Sequence, residues 1–401
     1  VTTQRSGRPA PPADAPAAPL GAGALGTPLR AWVVSRVPVV ALAVALSLLA
    51  GSGARAVDPA VPGALRLLGD WDTSWYLDIA RNGYDDYLGL VGVFFSNLAF
   101  FPMLPALMRG ALEVGLNPFL VALAVSNLAF LGALAGMHRL TAERYGPALA
   151  GRATWTLALA PPAAYASLAY TDGIVLALAL AVALAARRGW WWAAGAAGAV
   201  ATLARPPGVL VALLAVAIAV LDDAPRPARL RRAALALAPS VLAMTVFLGW
   251  MQLSRGSWGL PFAAQGAWDR APLVIGLVTH LPGEVVDAVV AVATWDPSAE
   301  WTSTLRDVGF TALYGLLLAR LWRMEGGWRS PWVLYSAGAL ALPLSSGSLT
   351  SMARFGLIAF PLAWAAATWI EEGGTRRRRG AVAGAAAVTV LLVAQLLIRS
   401  P

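Results

Sequence analysis

The chain has 401 residues, 58% of them hydrophobic and only 13% charged, with a mean hydropathy of +0.66. A soluble domain averages about 45–50% apolar and about 25% charged residues, so these figures exclude an ordinary soluble enzyme and point to a chain whose solvent is largely lipid. The absence of cysteine excludes disulfides, thiolate metal sites and cysteine nucleophiles, and two histidines, His138 and His280, leave little for a zinc or haem site. A net charge of +9 can signal nucleic-acid binding, but in a membrane chain the distribution of arginine over the two sides comes first.

Residues 1–28, rich in Pro, Ala and Gly and without apolar periodicity, read as a disordered cytoplasmic tail, and 29–401 as a single transmembrane domain. The first span falls at 31–50. Ala54-Arg55-Ala56 offers a signal-peptide cleavage pattern after it, but the long leader and the polytopic remainder favour a retained helix. Further apolar stretches lie at 117–137, 151–168, 173–187, 190–204, 206–221, 233–253, 303–322, 331–347, 355–370 and 380–398, which makes eleven spans. The stretch 91–112 is apolar enough to cross but is interrupted by Pro102 and Pro105, and crossing there would invert everything downstream.

Arginine decides between these topologies. With 91–112 lying in the interface, 20 of the 30 arginines, Arg36 and the Arg226–Arg232 and Arg376–Arg379 clusters among them, fall in cytoplasmic segments with 7 of the 21 carboxylates. That distribution obeys the positive-inside rule. The N-terminus is then inside, the C-terminus outside, and two long outer segments remain, 51–116 and 254–302. The Arg376–Arg379 run fits topology and anionic-lipid attraction rather than nucleic-acid recognition.

The first outer segment carries Gly69-Asp70-Trp71-Asp72-Thr73-Ser74-Trp75-Tyr76-Leu77-Asp78-Ile79-Ala80-Arg81-Asn82-Gly83-Tyr84. Trp71, Trp75, Leu77, Ile79 and Tyr84 can form the greasy side of an amphipathic interfacial helix. That role does not account for Asp70 and Asp72, since carboxylates lose hydration at the interface. A carboxylate there can take a proton from an acceptor hydroxyl while a lipid-linked donor presents its head group nearby. His280, Glu284, Asp287, Asp296 and Glu300 of the second outer segment read as solvated loop charges. Phosphate-cradling Gly-rich, H-E-x-x-H and G-x-S-x-G motifs are absent from the sequence.

The run WDTSWYLDIARNGY, followed by AFFPMLPALMR at 99–109, resembles the PIG-V-type mannosyltransferases, multispanning glycosyltransferases of the GT-C class. Trp71, Asp72, Trp75, Tyr76, Ile79, Ala80, Gly83 and Tyr84 match the family's first run, and Phe100, Phe101, Pro102 and Pro105 its second. Ala169-Tyr170-Thr171-Asp172 stands where the family has a Y-[ST]-[ED] turn, Leu203-Ala204-Arg205-Pro206-Pro207-Gly208 resembles its T-R-P-x-G run, and Met352-Ala353-Arg354-Phe355 its S-x-x-R-[YF] run before a late span. Asp172 is shorter than the usual Glu, and Leu203 replaces the usual Thr. The topology fixed by charge puts all these runs on the outer side, with the matched residues Asp72, Asp172, Arg205 and Arg354 each at the outer end of a helix, and ionisable groups converging at one membrane level imply a shared site. The competing roles are snorkelling for the two arginines and an N-cap for Asp172.

The resemblance covers roughly residues 60–370. It implies an all-α, GT-C-like cell-membrane protein that moves a mannosyl residue from a polyprenyl-phosphate donor to a glycolipid or other extracytoplasmic glycan. Asp72 would be the general base, with Asp70, Trp71, Tyr76, Tyr170, Asp172, Arg205 and Arg354 binding substrate. No cofactor is required: Asp70 and Asp72 spell the D-x-D that elsewhere binds a divalent cation, but a one-phosphate donor with arginines gives that cation no support. The alternative is a transporter or flippase of a lipid-linked or amphipathic substrate, which would use the same cavity without a base. Expected partners are the donor, the acceptor and membrane lipids, with no nucleic acid.

Overall fold

The computed structural model describes residues 25–49, 58–86, 94–268, 270, 275–294 and 301–396. Residues 1–24, which hold most of the expected tail, the Ala54-Arg55-Ala56 pattern, Asp296 and Glu300 lie outside them. Among the described residues every regular element is helical. In chain order these are α1 (Gly26–Leu49), α2 (Asp72–Asn82), α3 (Met103–Glu113), α4 (Pro118–Tyr145), α5 (Pro147–Leu159), α6 (Asp172–Arg187), α7 (Trp191–Ala204), α8 (Val209–Val220), α9 (Arg226–Arg255), α10 (Leu260–Ala263), α11 (Ile275–Thr279), α12 (Leu281–Thr294), α13 (Trp301–Glu325), α14 (Pro331–Leu344), α15 (Met352–Phe355), α16 (Leu362–Glu372) and α17 (Gly374–Gln395).

A helix lies over each of the eleven apolar stretches. By length and hydropathy, α1, α4 and α9 can each cross a membrane alone, and the number rises to five if the bent pairs 161–187 and 352–372 each count as one span. The apolar windows of the three long helices are only 22% to 33% buried, so most of their side chains, Leu242, Val246 and Leu253 of α9 among them, present an apolar face outward. The described chain is therefore all-helical, with apolar helices of membrane-spanning length. Local sequence sets the boundaries: Asn117 caps α4 by accepting from the Leu120 N–H at 3.1 Å, Pro118 opens it, and Gly146 at φ 88° closes it. No crossing helix runs through 94–112. There α3 has 11 residues, about 16 Å at 1.5 Å per residue, against roughly 30 Å of hydrocarbon.

The expected span 151–168 is not continuous. Pro161 and Pro162 end α5 at Leu159, the residues Pro161–Ser167 form a 3₁₀ turn, and the chain bends by 105° into α6. Such a break leaves carbonyls that the apolar surroundings cannot satisfy. Side chains from other helices answer them. Arg36 donates to the carbonyls of Ala158 (3.3 Å) and Ala163 and to Ser167 Oγ (2.9 Å), Asn127 to Ser167 O (3.3 Å), and Ser126 to Tyr170 O (2.6 Å). Arg36, counted by sequence with the cytoplasmic arginines, is instead 3% exposed within α1, its guanidinium 4.7 Å from the Phe130 ring centroid.

Ion pairs gather one set of helix ends. Arg188 after α6 pairs with Glu143 of α4 (2.9 Å), Arg144 with Glu325 of α13, and Arg152 of α5 and Arg378 of α17 both with Glu371 of α16 (3.1 Å each). Arg187, Asp222 and Arg329 share a cavity with Arg144 and Glu325. This is the arginine-rich end. The 16 residues of α6 put Asp172 about 24 Å along the axis from it.

Candidate functional site

At the opposite end, three local breaks in helical geometry each aim one charged side chain inward. Trp71 enters α2 at φ 59° and ψ −118°, a region a bulky residue occupies only at a cost of about 1–3 kcal/mol. The buried side of α2 (Thr73, Tyr76, Leu77 and Ala80) holds that entry in place: Tyr76, Leu77 and Ala80 belong to a core cluster with Leu104, Phe119 and Tyr165, and the Thr73 hydroxyl donates to Ala169 O at 3.3 Å. Asp72 is thereby fixed as the first residue of α2. Pro206 forces Arg205 out of helix at the end of α7, into extended backbone at φ −171°, ψ 158°. Gly208 then lies so close to Ala201 O of α7 that a Cβ would collide with it, which accounts for the glycine in the Arg-Pro-Pro-Gly run.

Arg354 lies on the short helix α15, entered through Ser351 in the left-handed region at φ 66°. Asp307 of α13, 3% exposed, holds that turn by accepting from the Ser351 N–H (3.1 Å) and the Ala353 N–H (3.3 Å), and pairs with Arg306 at 2.8 Å. Trp71 and Ser351 are the positive-φ non-glycine residues of the described chain. One precedes Asp72 directly and the other precedes Arg354 by three residues, so both strained positions border one site.

The four charges expected to converge do so as a continuous ion-pair chain. Arg354 Nη2 donates to Asp72 Oδ2 at 2.5 Å and its Nε to Asp172 Oδ2 at 2.9 Å, while Arg205 Nη1 donates to Asp172 Oδ1 at 2.5 Å. Arg354 and Arg205 are 5% and 7% exposed and Asp172 fully buried, so neither arginine snorkels. Asp172 opens α6 without capping it: the N-cap is Thr171, whose side chain makes no cap hydrogen bond. Tyr170 lies under Arg354, its ring centroid 4.5 Å from the guanidinium carbon, and donates its hydroxyl to Asp70 O at 3.3 Å.

Asp72, Tyr76, Arg205 and Arg354 line a cavity of about 650 Å³ whose other walls are largely apolar, with Pro206, Val209, Met244, Phe262 and Leu342 among them. That is the size and character of a small-molecule site. Asp172 and Tyr170 stand behind the arginines rather than on its surface. Asp70 and Trp71 are not brought to it either: Asp70 Oδ1 accepts from the Trp71 N–H at 2.8 Å, and the Trp71 indole donates to Leu396 O at 3.2 Å. The D-x-D pair is therefore divided, one carboxylate on the cavity and the other turned to backbone.

Sequence reading missed Arg270. It lines the cavity from the segment between α10 and α11, donates to Thr350 O at 3.1 Å and lies 4.7 Å from the Phe355 centroid, the same distance as Arg205. Burial, reinforced by the positive charges of Arg205 and Arg354, pushes its guanidinium down to about 10. Among the described residues no carboxylate pairs with it, so three arginines stand against two aspartates there. No local pattern marks Arg270 in sequence. Asn97 was also missed; it joins the end of α2 to the Phe100–Phe101 run by donating to Asp78 Oδ2 (2.7 Å) and Gly83 O (3.1 Å). Of the loop charges, His280 and Asp287 are exposed and Glu284 half-buried. The chain matches no protein-family model and no curated protein.

Proposed function

We propose that the chain is a polytopic membrane glycosyltransferase of the PIG-V mannosyltransferase type, taking mannose from a polyprenyl-phosphate donor. The observation that carries this reading is the cavity: apolar along most of its wall, with a carboxylate and three arginines gathered on one part of it. A polyprenyl-phosphate sugar has the same division into a long apolar tail, one phosphate and one sugar. In the GT-C-like, eleven-span topology the arginine-rich end is cytoplasmic and the Asp72 cavity extracytoplasmic, in support of which the basic helix connections share one end.

Asp72 takes the proton of an acceptor hydroxyl as its oxygen forms a bond to the sugar C1, and the bond from C1 to the phosphate oxygen breaks on the opposite face, with inversion. Polyprenyl phosphate departs with the electron pair, and Asp72 later returns its proton to water. Arg354, tied to two carboxylates, orients Asp72, while Arg205 and Arg270 meet the charge that grows on the departing phosphate. The donor has one phosphate, so the arginines do what a cation would do for a nucleotide-sugar. Purified protein given polyprenyl-phosphate-mannose and a panel of glycolipid acceptors should release polyprenyl phosphate in step with mannosylated acceptor. A flippase would move the donor across vesicles and release none, and that outcome would replace this reading.

A further inference from the structure

A second cavity, of about 920 Å³, is larger than the one at Asp72 and shares no residue with it. It is a groove between α5, α13, α16 and α17, running from Arg152, Glu371 and Arg378 at the arginine-rich end to Tyr314 and Phe360. Its walls between these ends are apolar and largely of small side chains on α16 and α17, such as Ala363, Ala366, Ala381 and Ala385. A Cβ added at Gly384 would meet nothing within 4 Å. Helices that pack on one another leave few voids larger than a water molecule, so a space of this size is shaped for something other than α17 itself.

Two observations choose the occupant. The walls offer few hydrogen-bonding groups, which an acyl chain does not need and a non-helical peptide backbone could not do without. The polar rim has excess positive charge: Glu371 is shared between Arg152 and Arg378, Glu372 is taken by Arg320, and Arg376, Arg377 and Arg379 stand in the same run. Arg377 is folded against Trp369, donating to its carbonyl at 2.7 Å with its guanidinium 4.7 Å from the ring centroid. We propose that the groove holds one anionic glycerophospholipid, its acyl chains along α16 and α17 and its phosphate at Arg152 and Arg378. The inner end of the groove abuts Tyr314, which donates to Ala353 O at 2.8 Å, and Gly356, against which the Tyr314 ring is packed. The lipid therefore buttresses the turn that carries Arg354.

The test is direct and independent of turnover. The full chain, reconstituted in equimolar phosphatidylglycerol and phosphatidylcholine and then extracted in mild detergent, is weighed by native mass spectrometry. One phosphatidylglycerol per chain should be retained. Ala385→Trp, which fills the groove, should abolish retention, while Val390→Trp, at an exposed position outside it, should not. The double variant Arg152→Gln, Arg378→Gln should still retain a lipid but lose the preference for phosphatidylglycerol by about tenfold. The arginine variant carries the test if Ala385→Trp does not fold. Equal retention of both lipids by the parent chain, or a preference unchanged by the arginine substitutions, would overturn the proposal, as would a protein dimer in place of bound lipid.

Discussion

Asp172 holds the site together from behind, a fully buried carboxylate between two nearly buried arginines. Breaking a buried pair strands a charge and costs about 3–5 kcal/mol. Asp172→Ala leaves Arg205 without its carboxylate and Arg354 with Asp72 alone, so thermal unfolding should show a loss of about that size; an unchanged midpoint would mean the pairs are solvated. Among the described residues Arg270 pairs with no carboxylate, and Arg270→Ala should leave the midpoint alone while lowering glycosyl transfer about 10²–10³-fold, the usual effect of deleting a donor to developing charge. Lysine should rescue it poorly, because the guanidinium lies against the Phe355 ring. Near-normal transfer by Arg270→Ala would return the phosphate to Arg205 alone. Asp72, Asp172, Arg205 and Arg354 could be picked out from sequence because each stands in a short run of recognisable residues at a helix end. Arg270 and Asp307 could not, since their roles come from side chains brought close only by folding.

The elements that matter most are the interrupted ones. The turns at 161–167, 206–208 and 352–358 give up helical hydrogen bonds to bring Asp172, Arg205 and Arg354 to one level. Gly208→Ala puts a methyl into the Ala201 carbonyl, and overpacking of this kind costs about 1–3 kcal/mol. The variant should unfold earlier and transfer less, because the turn that displaces Arg205 shifts; an unfolding midpoint equal to the parent's would show that α7 and α8 adjust freely. Hydropathy read 151–168 and 355–370 as continuous spans because their composition is apolar throughout. Pro161, Pro162 and Pro361 mark the breaks, but what makes the first of them tolerable is a set of side chains more than thirty residues away in sequence, Arg36, Ser126 and Asn127, which no local window contains.

For the whole molecule, the sidedness of the two ends has a direct readout. The chain has no cysteine, so single cysteines report without background. Those placed near Gly146 and Gly327 should be shielded from impermeant thiol reagents in intact cells, and one near Ser257 labelled. Labelling at Gly146 without labelling at Ser257 would invert the eleven-span topology. The helical character of the described chain and its apolar helices of membrane-spanning length were legible in composition and in the apolar runs. The convergence of the four charges was legible too, but the order in which they pair and the shape of the two cavities were not, because they depend on which helices become neighbours rather than on any helix's own sequence.

The central claim is that Asp72 accepts the proton, and Asp72→Asn tests it most directly. The amide keeps the shape of the carboxylate and can still accept from Arg354, but it cannot take a proton from a hydroxyl. Measured with polyprenyl-phosphate-mannose and a competent acceptor, the variant should fold and bind donor normally while turnover falls roughly 10²–10⁴-fold, and Asp70→Asn, turned away from the cavity, should be much milder. Transfer retained in Asp72→Asn and lost in Asp70→Asn would contradict the assignment of the base, and transfer retained in both would contradict catalysis by either carboxylate.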